Sequence, residues 1–311
     1  MRVLVTGGAG FIGSHIVEEL LRRGDSVRVL DNFSSGKRDN LDGLPGKPDI
    51  LEGDLRNADT VRAALRDVDL VFHLAAFISV SQSMLDPETC FAINVGGTVT
   101  LLEEARKAGV RKVVLSSSTA VYGNTDVFPT SEETPLAPLS PYALSKQVNE
   151  LYARLYTRTF GLPTVCLRYY NVYGPRQRPD SDYAAAIPIF LRKLVAGEAI
   201  TIYGDGKQSR DFVFVKDIVR ANLLACEADA AGTEFNVCSG REVTILDLLE
   251  ELSEVSGSSP RVRFDAPRAG DIYRSLGNPE KAVAGIGFRV QKPFAEGLAE
   301  TLEWMKSVGA G

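Results

Sequence analysis

The 311-residue sequence predicts an α/β fold, a doubly wound parallel sheet followed by a smaller C-terminal mixed α/β portion. Three observations carry that expectation. Apolar runs rich in Val and Leu alternate with amphipathic stretches through the first 170 residues. A glycine-rich turn, TGGAGFIGSH, joins the first apolar run to the first amphipathic one. After Asn171 the texture changes: Pro and Gly become frequent, as in VYGPRQRPDSD, and the elements shorten and mix. The expected division is 1–170 and 171–311, with the chain crossing back into the sheet around 213–238.

Taken in order, RVLV reads as the first strand. In FIGSHIVEELLRRG, residues Ile12, Ile16, Val17, Leu20 and Leu21 form one apolar stripe. Glu18, Glu19, Arg22 and Arg23 then face water, and Gly24 ends the helix. SVRVLD is the second strand, and Asp54-Leu55 in EGDLR sits where a third would end. DLVFHLAA, RKVVLSSS and TVCLRYYN supply further strands, with helices beginning near Pro87 and Pro141 between them. These strand runs show little polar alternation, as expected of strands buried on both faces of a parallel sheet with right-handed crossovers. Farther on, TILDLLEELSEVSG reads as a helix from Thr244 to near Gly257, and FAEGLAETLEWMKSVG as a terminal one. With no repeats and no low-complexity linker, the second portion is expected to pack closely on the first.

Composition excludes several classes of function. At 44% hydrophobic and 24% charged residues the chain is globular. A net charge of -5 with no long basic block argues against a nucleic-acid face. The four cysteines (Cys90, Cys166, Cys226, Cys238) show no CxxC or Cys-His pairing and only two histidines exist, so no metal site is expected and the thiols should be reduced and mostly buried. No apolar run approaches the ~20 residues of a membrane-spanning helix. MRVLV enters a strand directly, without a leader-like pattern, so a soluble cytoplasmic protein is expected.

The glycine-rich turn carries the first chemistry. Gly7, Gly10 and Gly13 stand three apart between a strand and a helix. Glycines there permit a sharp turn, close approach to a pyrophosphate and tight helix packing, while the helix N-terminus faces the negative charge of a Rossmann-bound dinucleotide. Asp31 closes the second strand; a carboxylate there accepts from adenosine ribose hydroxyls and repels a 2′-phosphate, favouring NAD over NADP. For Asp54, an adenine contact and a turn cap are equally open.

The second chemistry lies in SSSTAVYG and PYALSK. If the latter opens a helix, Tyr142 and Lys146 at i and i+4 share one face. An ammonium beside a phenol favours the phenolate and is expected to lower a pKa normally ~10. Such a Tyr can take a proton from a substrate hydroxyl as hydride leaves the same carbon. Ser118, ending a buried strand, lies where ligands bind in open α/β sheets and can bridge substrate and Tyr142.

TGGAGFIGSH, DNFSSG, HLAA, NVGGT, SSSTAVYG, PYALSK, LRYYNVYGPRQ, IYGDGKQSRDFVFVKD and RAGD, in that order, resemble the extended short-chain dehydrogenases acting on nucleotide sugars, above all the UDP-glucose 4-epimerases. The resemblance implies Ser118, Tyr142 and Lys146 as the catalytic trio, with Lys146 also on the nicotinamide ribose. It implies NAD contacts from Gly7, Gly10, Phe11, Ile12, Gly13, Asp31, Asn32, Ser35, Gly36, Asp54, Leu55, Leu74, Ala75 and Ala76, besides Tyr142 and Lys146. On the substrate side it implies Asn171 at the diphosphate, Arg210 on the phosphates, and Arg268 and Asp271 on phosphate and nucleoside ribose. Guanidinium forks suit a dianionic diphosphate, though Arg210 and Asp211 could instead form a structural ion pair. Ser79, in the stretch to Ser83, either lines the sugar site or belongs to a plain Ser-rich loop. Relatives that dehydrate or decarboxylate the keto intermediate carry an acid just after the motif Ser or Thr. Here Thr119 and Ala120 stand there, so the chemistry is expected to stop at a reversible 4-keto stage: C4 epimerisation of a UDP-hexose, UDP-galactose to UDP-glucose, with retained NAD. A UDP-glucuronate or UDP-N-acetylhexosamine 4-epimerase is the alternative, and a nucleotide-sugar 4,6-dehydratase a more distant one. The resemblance also implies a homodimer through a four-helix bundle. The apolar stripes (Leu101, Leu102, Ala105; Leu151, Tyr152, Leu155) could equally pack within the chain.

Overall fold

The computed structural model of the chain describes residues 1–178, 186–267 and 272–308. Its first half runs β1 (Arg2–Thr6), α1 (Phe11–Arg22), β2 (Ser26–Asp31), β3 (Asp49–Glu52), α2 (Ala58–Ala64), β4 (Leu70–His73), α3 (Val80–Leu85), α4 (Pro87–Phe91), α5 (Gly97–Lys107), β5 (Lys112–Ser118), α6 (Pro141–Phe160) and β6 (Thr164–Tyr169). The second runs β7 (Asn171–Tyr173), α7 (Ala186–Val195), β8 (Ile200–Tyr203), β9 (Ser209–Arg210), β10 (Phe212–Phe214), α8 (Val215–Glu227), β11 (Thr233–Val237), β12 (Val243–Thr244), α9 (Ile245–Ser256), β13 (Val262–Asp265), α10 (Glu280–Ile286) and α11 (Phe294–Ser307).

Seven strands form one sheet in the order β3-β2-β1-β4-β5-β6-β11, every neighbouring pair parallel. The order turns back between β1 and β4, and in such sheets ligands bind at that switch point, beyond the carboxyl ends of the strands. Both faces are covered, which is why the strand sequences lack alternation. In β1, Val3 and Val5 pack on the side of α1 and α8, whereas Leu4 packs on the side of α2, α5 and α6. The second half contributes β11 to this sheet and builds a further core from α7, α9 and α11 around β8 and β10.

Local chemistry sets the ends of the helices that matter for the site. Ser140 accepts from Ala143 N at 3.1 Å to cap α6, Pro141 occupies its first turn, and Gly161 at φ 70 closes it. The helix expected near Pro87 is not one regular helix. α4 and α5 are joined by a π-helical turn over Ala92–Gly96. Of the two stripes, Leu101, Leu102 and Ala105 on α5 are fully buried inside the chain, whereas Leu151 and Leu155 on α6 remain exposed. Cys90, Cys166 and Cys238 are buried and Cys226 half-buried, all four as free thiols. Among the described residues no helix is long and apolar enough to cross a membrane.

Candidate active site

At the switch point the chain turns sharply from β1 into α1. Gly7 adopts φ 69 and donates to Leu30 O at 2.8 Å; a Cβ there would sit 2.6 Å from Ala75 N, just beyond β4. A Cβ at Gly13 would lie 2.1 Å from Gly7 O, so that packing requires glycine. At Gly10 it would meet only Gly7 O, at 3.2 Å. Gly10 begins α1 without a side-chain cap, and the first turn holds no acidic residue. The first amide groups therefore point outward as donors, with the helix dipole behind them, and fit a pyrophosphate. Phe11 and Ile12 lie in that first turn.

The flanking carboxylates are partly committed. Asp31 is buried at the end of β2; its Oδ2 accepts from Ala9 N and its Oδ1 from Phe33 N, each at 2.9 Å. Since an ionised carboxylate offers about four acceptor positions, Asp31 can shape the glycine-rich turn and still accept ribose hydroxyls. Phe33 takes φ 56, a conformation uncommon outside glycine. Asn32 accepts from Ser34 N at 3.1 Å, and Gly36 abuts Ala9, where a Cβ would fall 2.9 Å from its carbonyl carbon. Ser35 lies in the loop between Asn32 and Gly36. Asp54 takes a hydrogen bond from Asn32 Nδ2 at 3.1 Å and two from the Arg56 guanidinium, which holds its carboxyl well below the usual range. Leu55 beside it is buried. Leu74, Ala75 and Ala76 follow β4 directly, and Leu74 and Ala75 lie against the turn at Gly7.

Ser118, Tyr142 and Lys146 come together at the carboxyl end of β5. Ser118 caps a single 3-10 turn by accepting from Ala120 N at 3.2 Å, and its side chain lies near enough to the Tyr142 phenol to favour the phenolate. The Lys146 ammonium lies 5.9 Å from the Tyr142 ring centroid and donates to Ser116 O at 3.0 Å. The electrostatics correct the expectation that the ammonium lowers the phenol. Burial pushes the half-buried Tyr142 up, with the Ser118 side chain pulling the other way. Burial also lowers Lys146, to about 8. In the protein alone, burial is the largest influence on the phenol.

Beside the start of α6, Ser79 caps α3 by accepting from Gln82 N at 3.1 Å, and Ser83 accepts from Tyr142 N at 3.2 Å. The Ser-rich stretch is thus a short helix braced against α6. Asn171, opening β7, donates from N and Nδ2 to Asp211 O at 3.0 and 3.2 Å. Arg210, in β9, donates to Ser209 O at 2.8 Å. The Asp211 carboxylate is taken up by Ser239, Gly240 and Gly277, which answers for its side of the ion pair considered with Arg210. Arg268 and Asp271 lie outside the described residues.

Several supporting residues were not foreseen. Asn94, in the π-helical turn, accepts from Phe77 N at 2.6 Å and donates to Phe77 O and to Ser145 Oγ on α6 at 3.1 and 2.9 Å. It belongs to NVGGT, where a signal existed. His73, neutral because burial lowers it to about 3, bonds Thr6 Oγ1 through Nδ1 at 2.7 Å and Thr98 Oγ1 through Nε2 at 2.8 Å. It ties β1 and α5 together behind the glycine-rich turn.

Residues 3–238 match the family model described as NAD dependent epimerase/dehydratase family. A UDP-glucose 4-epimerase of Mycolicibacterium smegmatis is 41% identical over 311 residues, covering 99% of each chain. The solved UDP-N-acetylglucosamine 4-epimerase of Methanobrevibacter ruminantium, in complex with UDP-N-acetylmuramic acid, matches at TM-score 0.95 and 41% identity over 99% of each chain. The Thermus thermophilus UDP-glucose 4-epimerase in complex with NAD matches at TM-score 0.88 and 41% identity over 98% of each.

Proposed function

The chain belongs to the NAD dependent epimerase/dehydratase family, and from that premise we propose that it inverts C4 of a UDP-hexose, interconverting UDP-galactose and UDP-glucose through a 4-keto sugar. The cofactor is NAD, which when bound supplies a hydride acceptor and later the donor, leaving no net redox change. Tyr142 takes the C4 hydroxyl proton and later returns it to the 4-keto oxygen. Ser118 bridges the reacting oxygen and the phenol, and Lys146 holds the nicotinamide ribose and favours the phenolate. Asn171 and Arg210 grip the diphosphate while the keto sugar turns over, and Arg268 and Asp271, beyond the described residues, hold phosphate and nucleoside ribose. Asn171 keeps one Nδ2 hydrogen for that purpose after serving Asp211 O.

The observation that carries this reading is the pair Thr119 and Ala120 beside the Ser118–Tyr142–Lys146 cluster. Neither can move a proton at C5 or assist elimination, so nothing at those positions diverts the keto intermediate. Proton NMR of the anomeric signals, with UDP-galactose and no added nicotinamide, should show UDP-glucose and no keto or deoxy product. A 4-keto-6-deoxy signal would overturn the reading. The 41% identity to a UDP-N-acetylglucosamine 4-epimerase makes the N-acetyl sugar the second substrate to try. Conversion of that sugar alone would keep the mechanism and move the substrate.

The reading includes a homodimer. Leu144, Leu151 and Leu155 form an exposed apolar row on α6, with Phe91 on α4 and Met84 on α3 exposed beside it. Such a contiguous apolar row marks an interaction surface. Light scattering is expected to give twice the 33.7 kDa chain mass, and a mass near one chain would end the idea.

A further inference from the structure

Asp211 stands between the two residues assigned to the diphosphate: Arg210 precedes it, and Asn171 is bonded to its backbone. Its side chain is 0% exposed, yet it ends in a carboxyl group. Oδ1 accepts from Ser239 N at 2.7 Å and Ser239 Oγ at 2.6 Å, and Oδ2 from Gly240 N at 3.0 Å and Gly277 N at 3.2 Å. Its carbonyl oxygen accepts from N and from Nδ2 of Asn171. One residue therefore joins β7, the turn after β11 and the segment before α10. Gly240 takes φ 70, and a Cβ at Gly277 would lie 2.5 Å from the Tyr170 ring.

A buried carboxylate is a poor device for stability alone, because desolvation offsets much of what its partners return, and apolar replacements often do as well. Here its acceptors are spent on ordering turns around the proposed ligand contacts. We infer that Asp211 is a positioning residue for the nucleotide-sugar site, setting the Asn171 amide and the turns at Ser239–Gly240 and Gly277 in the arrangement that receives the diphosphate. The inference rests on the nucleotide-sugar reading above.

The electrostatics supply a readout that a purely structural residue would lack. Burial pushes the Asp211 carboxyl up to about 6, against the pull of its Ser239, Gly277 and Gly240 donors. A proton arriving there takes a lone pair that a donor now uses, so binding should weaken as pH falls through that value. Around it, burial holds the Tyr170 phenol and Cys238 thiol above their usual values, both neutral at working pH. Glu132, also raised by burial, sits farther off and accepts from Asn236 N. His15 and His73, at about 4 and about 3, do not titrate in this range.

The test is calorimetric titration of the NAD-loaded protein with UDP-glucose from about pH 5 to about pH 8, where the diphosphate ester does not titrate. Wild type should lose affinity below about pH 6. Asp211→Asn, which turns one acceptor into a donor facing donors, should bind about ten- to a hundredfold more weakly at neutral pH. It should lose the pH dependence and retain its NAD. Ser239→Ala, missing one donor, should move the midpoint upward, and it decides the matter if Asp211→Asn does not fold. An Asp211→Asn protein matching wild type in affinity and pH profile, or an unmoved midpoint in Ser239→Ala, overturns the inference alone. Wild type that binds no UDP-glucose at any pH overturns the nucleotide-sugar reading and the inference with it.

Discussion

Tyr142→Phe is expected to slow turnover by about two to four orders of magnitude, the share that a positioned acid-base group contributes, while bound NAD and the fold stay as they are. The substitution removes one oxygen and keeps the ring. Lys146 keeps its bond to Ser116 O, the Tyr142 backbone keeps its bond to Ser83 Oγ, and the α6 cap at Ser140 is untouched. What is lost is the atom that exchanges the C4 proton and lies nearest the Ser118 side chain.

The pH profile adds a second reading of the same residue. Burial holds the phenol up, so the active phenolate becomes more populated as pH rises. Lys146, at about 8, loses above that pH the charge that favours the phenolate. Turnover at saturating substrate should therefore climb from acid pH and fall off above about pH 8, and the Phe variant should keep neither limb. Stopped or continuous assays with NAD content measured on the same samples check this. Near-normal turnover in the variant would remove Tyr142 from the proton path.

What the sequence made legible was chemistry carried by short spacings. Gly7, Gly10 and Gly13 declare a turn because their conformation and clearance are local properties, and Tyr142 and Lys146 share a face because a helix repeats every ~3.6 residues. Partners brought together from distant segments left no such mark. Asp211 reads as half of an ion pair with Arg210 until the fold delivers Ser239, Gly240 and Gly277 to its carboxylate. The π-helical turn at Ala92–Gly96 has no periodic signature, so NVGGT marks Asn94 without showing what it clamps. Spacing likewise says that a lysine stands near a tyrosine, but not that burial raises the phenol. The α5 and α6 stripes look alike in sequence; only the packed chain shows Leu101 and Leu102 inside and Leu151 and Leu155 outside.

Glu150→Ala should be the most destabilising single change, costing about 3–5 kcal/mol by chemical denaturation, the penalty for stranding one member of a buried ion pair. Glu150 lies one helical turn beyond Lys146 on α6, and both it and Arg168 are almost wholly buried, with side chains 3% and 2% exposed. Arg168 donates to it from Nε at 2.9 Å and Nη2 at 2.7 Å, and Ser117 Oγ donates at 2.6 Å. Arg168 Nη1 continues to the Tyr122 hydroxyl at 2.8 Å, which in turn donates to Asn236 Oδ1 at 2.7 Å on β11. One carboxylate thus bolts the helix bearing Tyr142 and Lys146 to β5, β6 and, through Tyr122, β11. Removing it leaves a guanidinium without its counter-charge in the core, whereas Glu150→Met combined with Arg168→Leu removes both charges and should recover most of the loss. A double variant as unstable as the single one would mean that the pair stabilises through its hydrogen bonds and shape, with the stranded charge contributing little.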